Sequence, residues 1–445
     1  MAKICFINAY ETSYLGTRIL ASYMLAKGHE VHGILLESGE YISIEEPLEG
    51  HEGYQSYSRG VLMVNRATQY KIGQDDTDLL ARILQAEAPD VIGFSARSTN
   101  NWLIPVLVPV CKAAVPSALL VAGGFGPTLE PELYLDGGFH CVIRGDGEEA
   151  LAGLMDCVEE EKRTRRPNEQ KYSVCNTVWF YRGGYIKNTM SPQEKNLSKY
   201  GEPLHGHRHF SFIKNGVMYR YYDPEVNGGI YFTYFGRGCI GHCTYCSGGQ
   251  WSSLYKDDGA KVYKRRNRDV NEVVEELKKM PEKPQHIWFV DEYFGLSREK
   301  TLEFCKLYKK HIGKTFFCYI NYDYMLEHED VFYSLVDAGL VGTGVGFQTG
   351  SEKFAREQYH RQLKNSHLLE FAKLCFETNL FTGIHLIGGN CYETEEVFQD
   401  TVDLIRKLPF SIEDPWRMPL ENIRLRPHPK TPITFLSPKV VTRAI

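Results

Sequence analysis

The sequence predicts an α/β protein built as two parallel-sheet domains in succession: a doubly wound domain, then an open barrel of six strand–helix units. Three observations carry that reading. Short apolar runs alternate with amphipathic stretches between residues 3 and 149. The same alternation restarts at Gly229, and between the two the pattern breaks into charge runs, turns and prolines. Strands that alternate with helices pair in parallel, and such sheets offer ligands the carboxyl ends of their strands. The expected organisation is a first domain at 1–157, a linker at 158–228, a barrel at 229–435 and a tail at 436–445.

In the first domain, residues 3–9 (Lys-Ile-Cys-Phe-Ile-Asn-Ala) form an apolar run that ends in a polar loop. Residues 17–27 follow with Leu20, Tyr23, Met24 and Leu25 on or near one helical face, and Gly28 stops that helix. Residues 31–36 read as the next strand. A strand at 90–95, a helix at 106–114 and strands at 118–124 and 141–144 continue the series. No G-x-G-x-x-G follows the first strand, which argues against a dinucleotide.

In the linker, the charge run at 159–166 reads as a solvated helix end. Residues 178–185 read as a hairpin turning on Gly183-Gly184. His205, His207 and His209 alternate without a nearby carboxylate and read as incidental rather than as metal ligands. The barrel begins with a strand at 229–235. Helix 269–280 follows, with Val270, Val273, Val274 and Leu277 at helical spacing. Strands at 286–290, 315–321, 341–348, 381–387 and 422–426 and helices at 297–308 and 330–338 complete it. Connected right-handedly, six such units make a (β/α)6 partial barrel with its chemistry at the carboxyl-end mouth.

The loop after the first barrel strand is Gly238-Cys239-Ile240-Gly241-His242-Cys243-Thr244-Tyr245-Cys246-Ser247. Its C-x3-C-x2-C spacing offers a cubane iron–sulfur cluster three thiolates. One iron is left open to bind a small molecule and pass it an electron. An electron carrier ordinarily supplies a fourth cysteine. Zinc sites show paired C-x2-C knuckles or spaced histidines, whereas here His242 lies inside the loop and no second knuckle follows. Twelve cysteines in a long chain with no signal peptide at Met1-Ala2-Lys3-Ile4 do not suggest a disulfide framework.

This motif, the aromatic residue before its last cysteine and the strand-like run before it resemble the radical S-adenosylmethionine (radical SAM) superfamily. The loops Gly123-Gly124-Phe125-Gly126-Pro127-Thr128 and Arg144-Gly145-Asp146-Gly147-Glu148 resemble the Rossmann-like cobalamin-binding domain often fused before its (β/α)6 partial TIM barrel. The resemblance spans roughly residues 1–435. It implies that Cys239, Cys243 and Cys246 ligate a 4Fe–4S cluster. Tyr245, Asp291, Glu292, Gln348 and Ser351 would contact S-adenosylmethionine (SAM). Ser13, Tyr14, Gly16, Ser95, Gly123, Gly124, Thr128, Gly145, Gly147 and Glu148 would contact cobalamin. Relatives that ligate cobalt from below carry D-x-H-x-x-G after the first strand. Here the register reads Glu11-Thr12-Ser13-Tyr14-Leu15-Gly16, with Ser13 in the histidine's place, which implies cobalamin with no protein histidine beneath it. Asn390 and Arg426, in turns after the fifth and sixth strands, are the expected substrate contacts. Cys391 reads as a small hydrophobe rather than a radical relay.

Hydrophobic content of 43% and charged content of 24% are ordinary for a soluble globular protein. No run approaches the roughly 18–20 apolar residues of a membrane span, so a cytoplasmic location is expected. The net charge of −5 is uneven: residues 1–150 hold 10 Lys and Arg against 19 Asp and Glu, the remainder 41 against 37. That small basic excess does not announce nucleic acid. The resemblance implies an enzyme that cleaves SAM to a 5′-deoxyadenosyl radical with an electron from an external flavodoxin- or ferredoxin-like donor. The leading expectation is cobalamin-dependent methylation of a carbon centre on a small molecule or peptide. The alternatives are radical rearrangement, cyclisation or oxidation, and, in another class, a corrinoid or electron-transfer protein without catalysis of its own.

Overall fold

The computed structural model describes residues 1–9, 15–43, 55–58, 61–64, 66–70, 72–388, 390, 392–409 and 420–424, with backbone alone at 40–43, 55–58, 61–64, 66–70 and 420–424. The chain forms two compact units. The first comprises Met1–Glu40, Tyr70–Gly228 and Gln250–Tyr263; the second comprises Tyr41–Gln69, Gly229–Gly249 and Lys264–Ile445. No helix among the described residues is long and apolar enough to cross a membrane.

The first unit is a nine-stranded sheet. Glu30–Leu36, Lys3–Ala9, Val91–Ser95, Leu119–Gly123 and Cys141–Ile143 pair in parallel in that spatial order. Along the chain this is order 2-1-3-4-5, so the winding reverses between Lys3–Ala9 and Val91–Ser95. All but the first residue of each of the two leading strands is buried, as expected where helices cover both faces. The helix Gln74–Glu87 makes the crossover between Glu30–Leu36 and Val91–Ser95. Asp76 starts it by accepting the Gly73 N–H at 3.0 Å.

The expected linker is part of this sheet. Thr177–Tyr181 and Gly184–Lys187 extend one edge antiparallel to Cys141–Ile143, while Phe210–Lys214 and Val217–Tyr219 extend the other. The hairpin turns on Arg182-Gly183, one residue earlier than expected. Their φ values of +50° and +82° meet the demand of a type I′ turn for two left-handed residues. Buried Arg18 ties the first helix, Leu15–Ala26, to this region. It donates to Asp223 at 2.7 and 2.8 Å and pairs with Glu225 at 2.8 Å. His205 packs against the same guanidinium, and the His207 ring accepts the Asp223 N–H at 3.0 Å and stacks on Tyr222.

The second unit holds six parallel strands in chain order: Ile230–Thr233, His286–Phe289, Thr315–Tyr319, Leu340–Gln348, Phe381–Gly388 and Leu420–Arg424. This is the (β/α)6 partial barrel. Its sixth strand starts two residues before the expected one and pairs with a hairpin, Gln55–Ser58 and Val61–Val64, that sequence reading did not foresee. Between the first three strands and their helices, Phe235, Phe289, Phe294 and Phe304 pack with ring centroids 4.9–5.7 Å apart. Such offset and edge-on pairs stabilise beyond their buried area, and they fix the strand ends from which the cysteine loop springs.

Candidate functional site

Gly236–Arg237, just past the first barrel strand, pairs with Arg266–Asn267. Gly238 follows at φ +98°, and a Cβ there would stand 2.5 Å from the Lys264 carbonyl oxygen, so this close approach requires glycine. The loop then presents its thiols. The Gly241 N–H points to Cys239 Sγ and the Gly248 N–H to Cys246 Sγ, each at 3.4 Å. A Cβ on Gly241 would stand 3.5 Å from Cys239 Sγ and 3.6 Å from Cys243 Sγ, so those two sulfurs gather on one side of the glycine. Cys246 is exposed and the other two are half-buried. Burial pushes the Cys239 thiol up, and the Gly241 N–H opposes that.

Three thiols, two of them with backbone N–H donors, fit a cubane cluster, since each sulfur binds a different iron and N–H···S bonds tune such clusters. The sulfurs need not meet at one point. Among the described residues no three His, Cys, Asp or Glu side chains close on a single ion.

Behind the loop lies a brace that the sequence did not disclose. Asp291 is buried and accepts N–H bonds from Phe235 at 2.9 Å and Gly236 at 2.6 Å. Its carboxylate also pairs with Arg265 at 2.5 Å, and Arg265 donates to the Gly238 carbonyl at 3.1 Å. Burial pushes the Asp291 carboxyl up, opposed by Arg265 and the two N–H groups. Both Asp291 oxygens thus have partners inside the protein. Glu292 is the surface-facing member of the pair, 42% exposed and 3.8 Å from Arg265.

The fourth barrel strand shifts register between Gly346 and Gln348 and ends with Gln348 at φ +73°. Gln348 Oε1 accepts from Arg361, whose guanidinium also lies 3.4 Å from the Tyr245 hydroxyl. Thr244 docks the cysteine loop on the same segment, its N–H to the Tyr359 carbonyl at 3.2 Å and its hydroxyl to that of Gln358 at 2.6 Å. Burial pushes the Tyr245 phenol up. Ser351 precedes the helix Glu352–Gln358, and its hydroxyl makes no capping bond. Asn390 is buried; it accepts the Tyr392 N–H at 3.0 Å and donates to the Tyr359 hydroxyl at 3.0 Å. These bonds make Asn390 a brace of its own loop. Arg426 and Cys391 lie outside the described residues.

In the first unit, a mostly apolar cavity opens where the winding reverses. Ala9, Phe94, Ser95, Asn100, Leu107 and Tyr134 line it. Ligands of doubly wound sheets lodge at this switch point. Space is open over Gly16, and the only atom near a Cβ on Gly123 would be the Ile143 carbonyl oxygen at 3.9 Å. Others of the residues expected to contact cobalamin also make contacts within the protein. Gly124, at φ +104°, brings its loop against the Ala96 carbonyl, 2.6 Å from where a Cβ would stand. Buried Thr128 accepts the Gly145 N–H at 3.0 Å, and the space beside Gly145 is filled by Tyr255 and Met190. Gly147 precedes the helix Glu148–Thr164, and Glu148 is buried at its start. Ser13 and Tyr14 lie outside the described residues. The loops 96–103, 124–130 and 144–147 contain no histidine. The strand ends at this switch point, with space open over Gly16 and Gly123, are where a corrinoid's nucleotide tail would be held.

The Radical SAM superfamily model matches residues 233–405 and the B12 binding domain model residues 59–155. The anaerobic magnesium-protoporphyrin IX monomethyl ester cyclase of Cereibacter sphaeroides is 25% identical over 339 residues, 72% of this chain and half of the cyclase's own length. The cytidylyl-2-hydroxyethylphosphonate methyltransferase of Streptomyces wedmorensis is 21% identical over 440 residues, 92% of this chain and 78% of that one. Among solved structures, the radical SAM methyltransferase TsrM from Kitasatospora setae has a TM-score of 0.68 at 15% identity, covering 97% of this chain and 75% of its own. The cobalamin-dependent radical SAM enzyme OxsB gives 0.60 at 13%, covering 91% and 52%. At these identities the solved structures speak to the fold. The chain thus carries a B12 binding domain followed by a radical SAM domain, the organisation of cobalamin-dependent radical SAM enzymes, and these domains imply a 4Fe–4S cluster, SAM and cobalamin as cofactors.

Proposed function

We propose that this enzyme methylates a carbon centre of a small molecule or peptide in a cobalamin-dependent radical reaction. The carrying observation is one chain with a three-thiol loop after the first barrel strand and a doubly wound sheet whose switch point ends in open, glycine-lined loops. Two of the relatives named above are methyltransferases. When bound, the cofactors supply a 5′-deoxyadenosyl radical and a transferable methyl group.

The chain's own part is binding and orientation. Cys239, Cys243 and Cys246 hold the cluster, and the Arg265–Asp291 brace fixes the loop that carries them. Tyr245, Glu292, Gln348 and Ser351 border the position assigned to SAM. Gly16, Ser95 and Gly123 border that of cobalamin. Arg426 is the proposed anchor for an acidic substrate group, because a guanidinium pairs carboxylate or phosphate bidentately. The electron comes from an external flavodoxin- or ferredoxin-like donor.

A second reading, radical cyclisation, is favoured by the likeness to a cyclase at 25% identity. Incubating the reconstituted enzyme with SAM, cobalamin, a low-potential reductant and candidate substrates separates the readings. Methylation yields S-adenosylhomocysteine together with 5′-deoxyadenosine. 5′-Deoxyadenosine alone, with no methylated product, supports cyclisation or rearrangement. Absence of both supports a carrier protein.

A further inference from the structure

Arg361 stands out among the cations of the second unit. It is half-buried, and its hydrogen-bond partners are neutral: the amide oxygen of Gln348 and the phenol of Tyr245. Among the described residues no Asp or Glu pairs with it. Two neighbouring interior arginines of this unit, by contrast, are paired with acids: Arg265 with Asp291 and Arg268 with Glu276 at 2.6 Å. A charge withdrawn from water without a counter-charge is costly, and an arginine does not relieve that cost by deprotonating.

The location gives the charge a use. Tyr245 lies between the second and third cysteines, and Thr244 beside it is hydrogen-bonded to Gln358 and Tyr359, just before Arg361 in the chain. The guanidinium is thus held against the loop that carries the thiols. Its seat is specific. A Cβ on Gly346 would stand 2.6 Å from Gln348 Nε2 and 3.3 Å from Arg361 Nη1, so a larger residue on that strand would displace the pair.

We propose that Arg361 is the charge-compensating residue of the three-cysteine site, stabilising the negative charge gained when the cluster accepts one electron. The proposal rests on the reading that Cys239, Cys243 and Cys246 hold that cluster. The step is a one-electron reduction: the external donor loses an electron, the cluster gains it, and no bond or proton is exchanged. A cluster's potential depends on net charge and on nearby hydrogen bonds, so an uncompensated cation beside its loop raises the potential. Arg361 is a positioning residue in this role, since it reaches the site through Tyr245.

The test is a redox titration followed by electron paramagnetic resonance on the full-length, anaerobically reconstituted protein without SAM. Arg361→Met should lower the equilibrium constant for reduction about tenfold, a shift of about 59 mV to more negative potential. Arg361→Lys, which keeps the charge, should stay near wild type, and iron content should be equal in all three. Should Arg361→Met fail to assemble its cluster, Arg361→Gln, which keeps hydrogen-bonding capacity, must show the same negative shift. An unmoved midpoint in the neutral variants overturns the proposal. If that comes with weakened binding of SAM but not of decarboxylated SAM, Arg361 is a ligand for the SAM carboxylate instead. An equal shift in Arg361→Lys also overturns it, because geometry and not charge would then be responsible. A wild-type protein that assembles no cluster overturns the cysteine assignment, and this inference with it.

Discussion

Replacing Asp291 with Ala separates the two roles open to that carboxylate, internal brace and SAM contact. In the structure the carboxylate satisfies the N–H groups of Phe235 and Gly236 and pairs with Arg265, which in turn holds the Gly238 carbonyl. Truncation leaves a buried guanidinium without its counter-charge, a loss of about 3–5 kcal/mol for broken buried pairs. Each orphaned N–H adds about 1–3 kcal/mol where water cannot enter. These contributions overlap, so the expected total is about 3–5 kcal/mol, or roughly a 10²- to 10⁴-fold loss of local protection. Amide hydrogen exchange of the apo chain reads it directly at Phe235 and Gly236. Iron retention should fall with it, because the brace is anchored one residue before Cys239. Unchanged protection at both amides, together with weakened SAM binding, would refute the brace and restore Asp291 as a ligand.

Two further outcomes are expected. Burial holds His205 down to about 3 and His32 down to about 4, so both are neutral in the folded first unit while their unfolded counterparts take a proton near pH 6.5. Stability present above pH 6.5 is therefore lost as pH falls toward 4, by up to about 1.4 kcal/mol per pH unit for each histidine. Denaturant unfolding across that window should show a shallower decline in His205→Asn, and an unaltered slope would contradict it. In the cob(II)alamin form, electron paramagnetic resonance should show cobalt lines without nitrogen superhyperfine splitting, given Ser13 in the ligand position and no histidine in loops 96–103, 124–130 and 144–147. Splitting from a protein nitrogen would contradict the expected binding mode.

The parts legible in the sequence were those written locally. Apolar runs bounded by polar loops located the parallel strands to within a few residues, and the cysteine spacing located the thiol loop. What escaped depends on partners far apart in the chain. The Arg265–Asp291 brace spans 26 residues, and nothing in either segment marks the other. Gln55–Tyr57 pair with Leu420–Asn422 through a register that no local periodicity reveals. Polar residues at strand ends were the least legible. Asp291 and Asn390 have the identity of ligand contacts, yet their neighbours engage them internally. Arg361 follows a short helix in an unremarked polar stretch. Its neutral surroundings arise from the folded neighbourhood of Gln348 and Tyr245 and are not written in the local sequence.

The most direct test of the central claim is reductive SAM cleavage by the anaerobically purified protein with Cys239, Cys243 and Cys246 all changed to Ala. The wild-type chain, given SAM and a low-potential reductant, should release 5′-deoxyadenosine. The triple variant should lose most of its iron and form none. 5′-Deoxyadenosine at the wild-type rate from the triple variant would contradict the assignment of these thiols to the cluster.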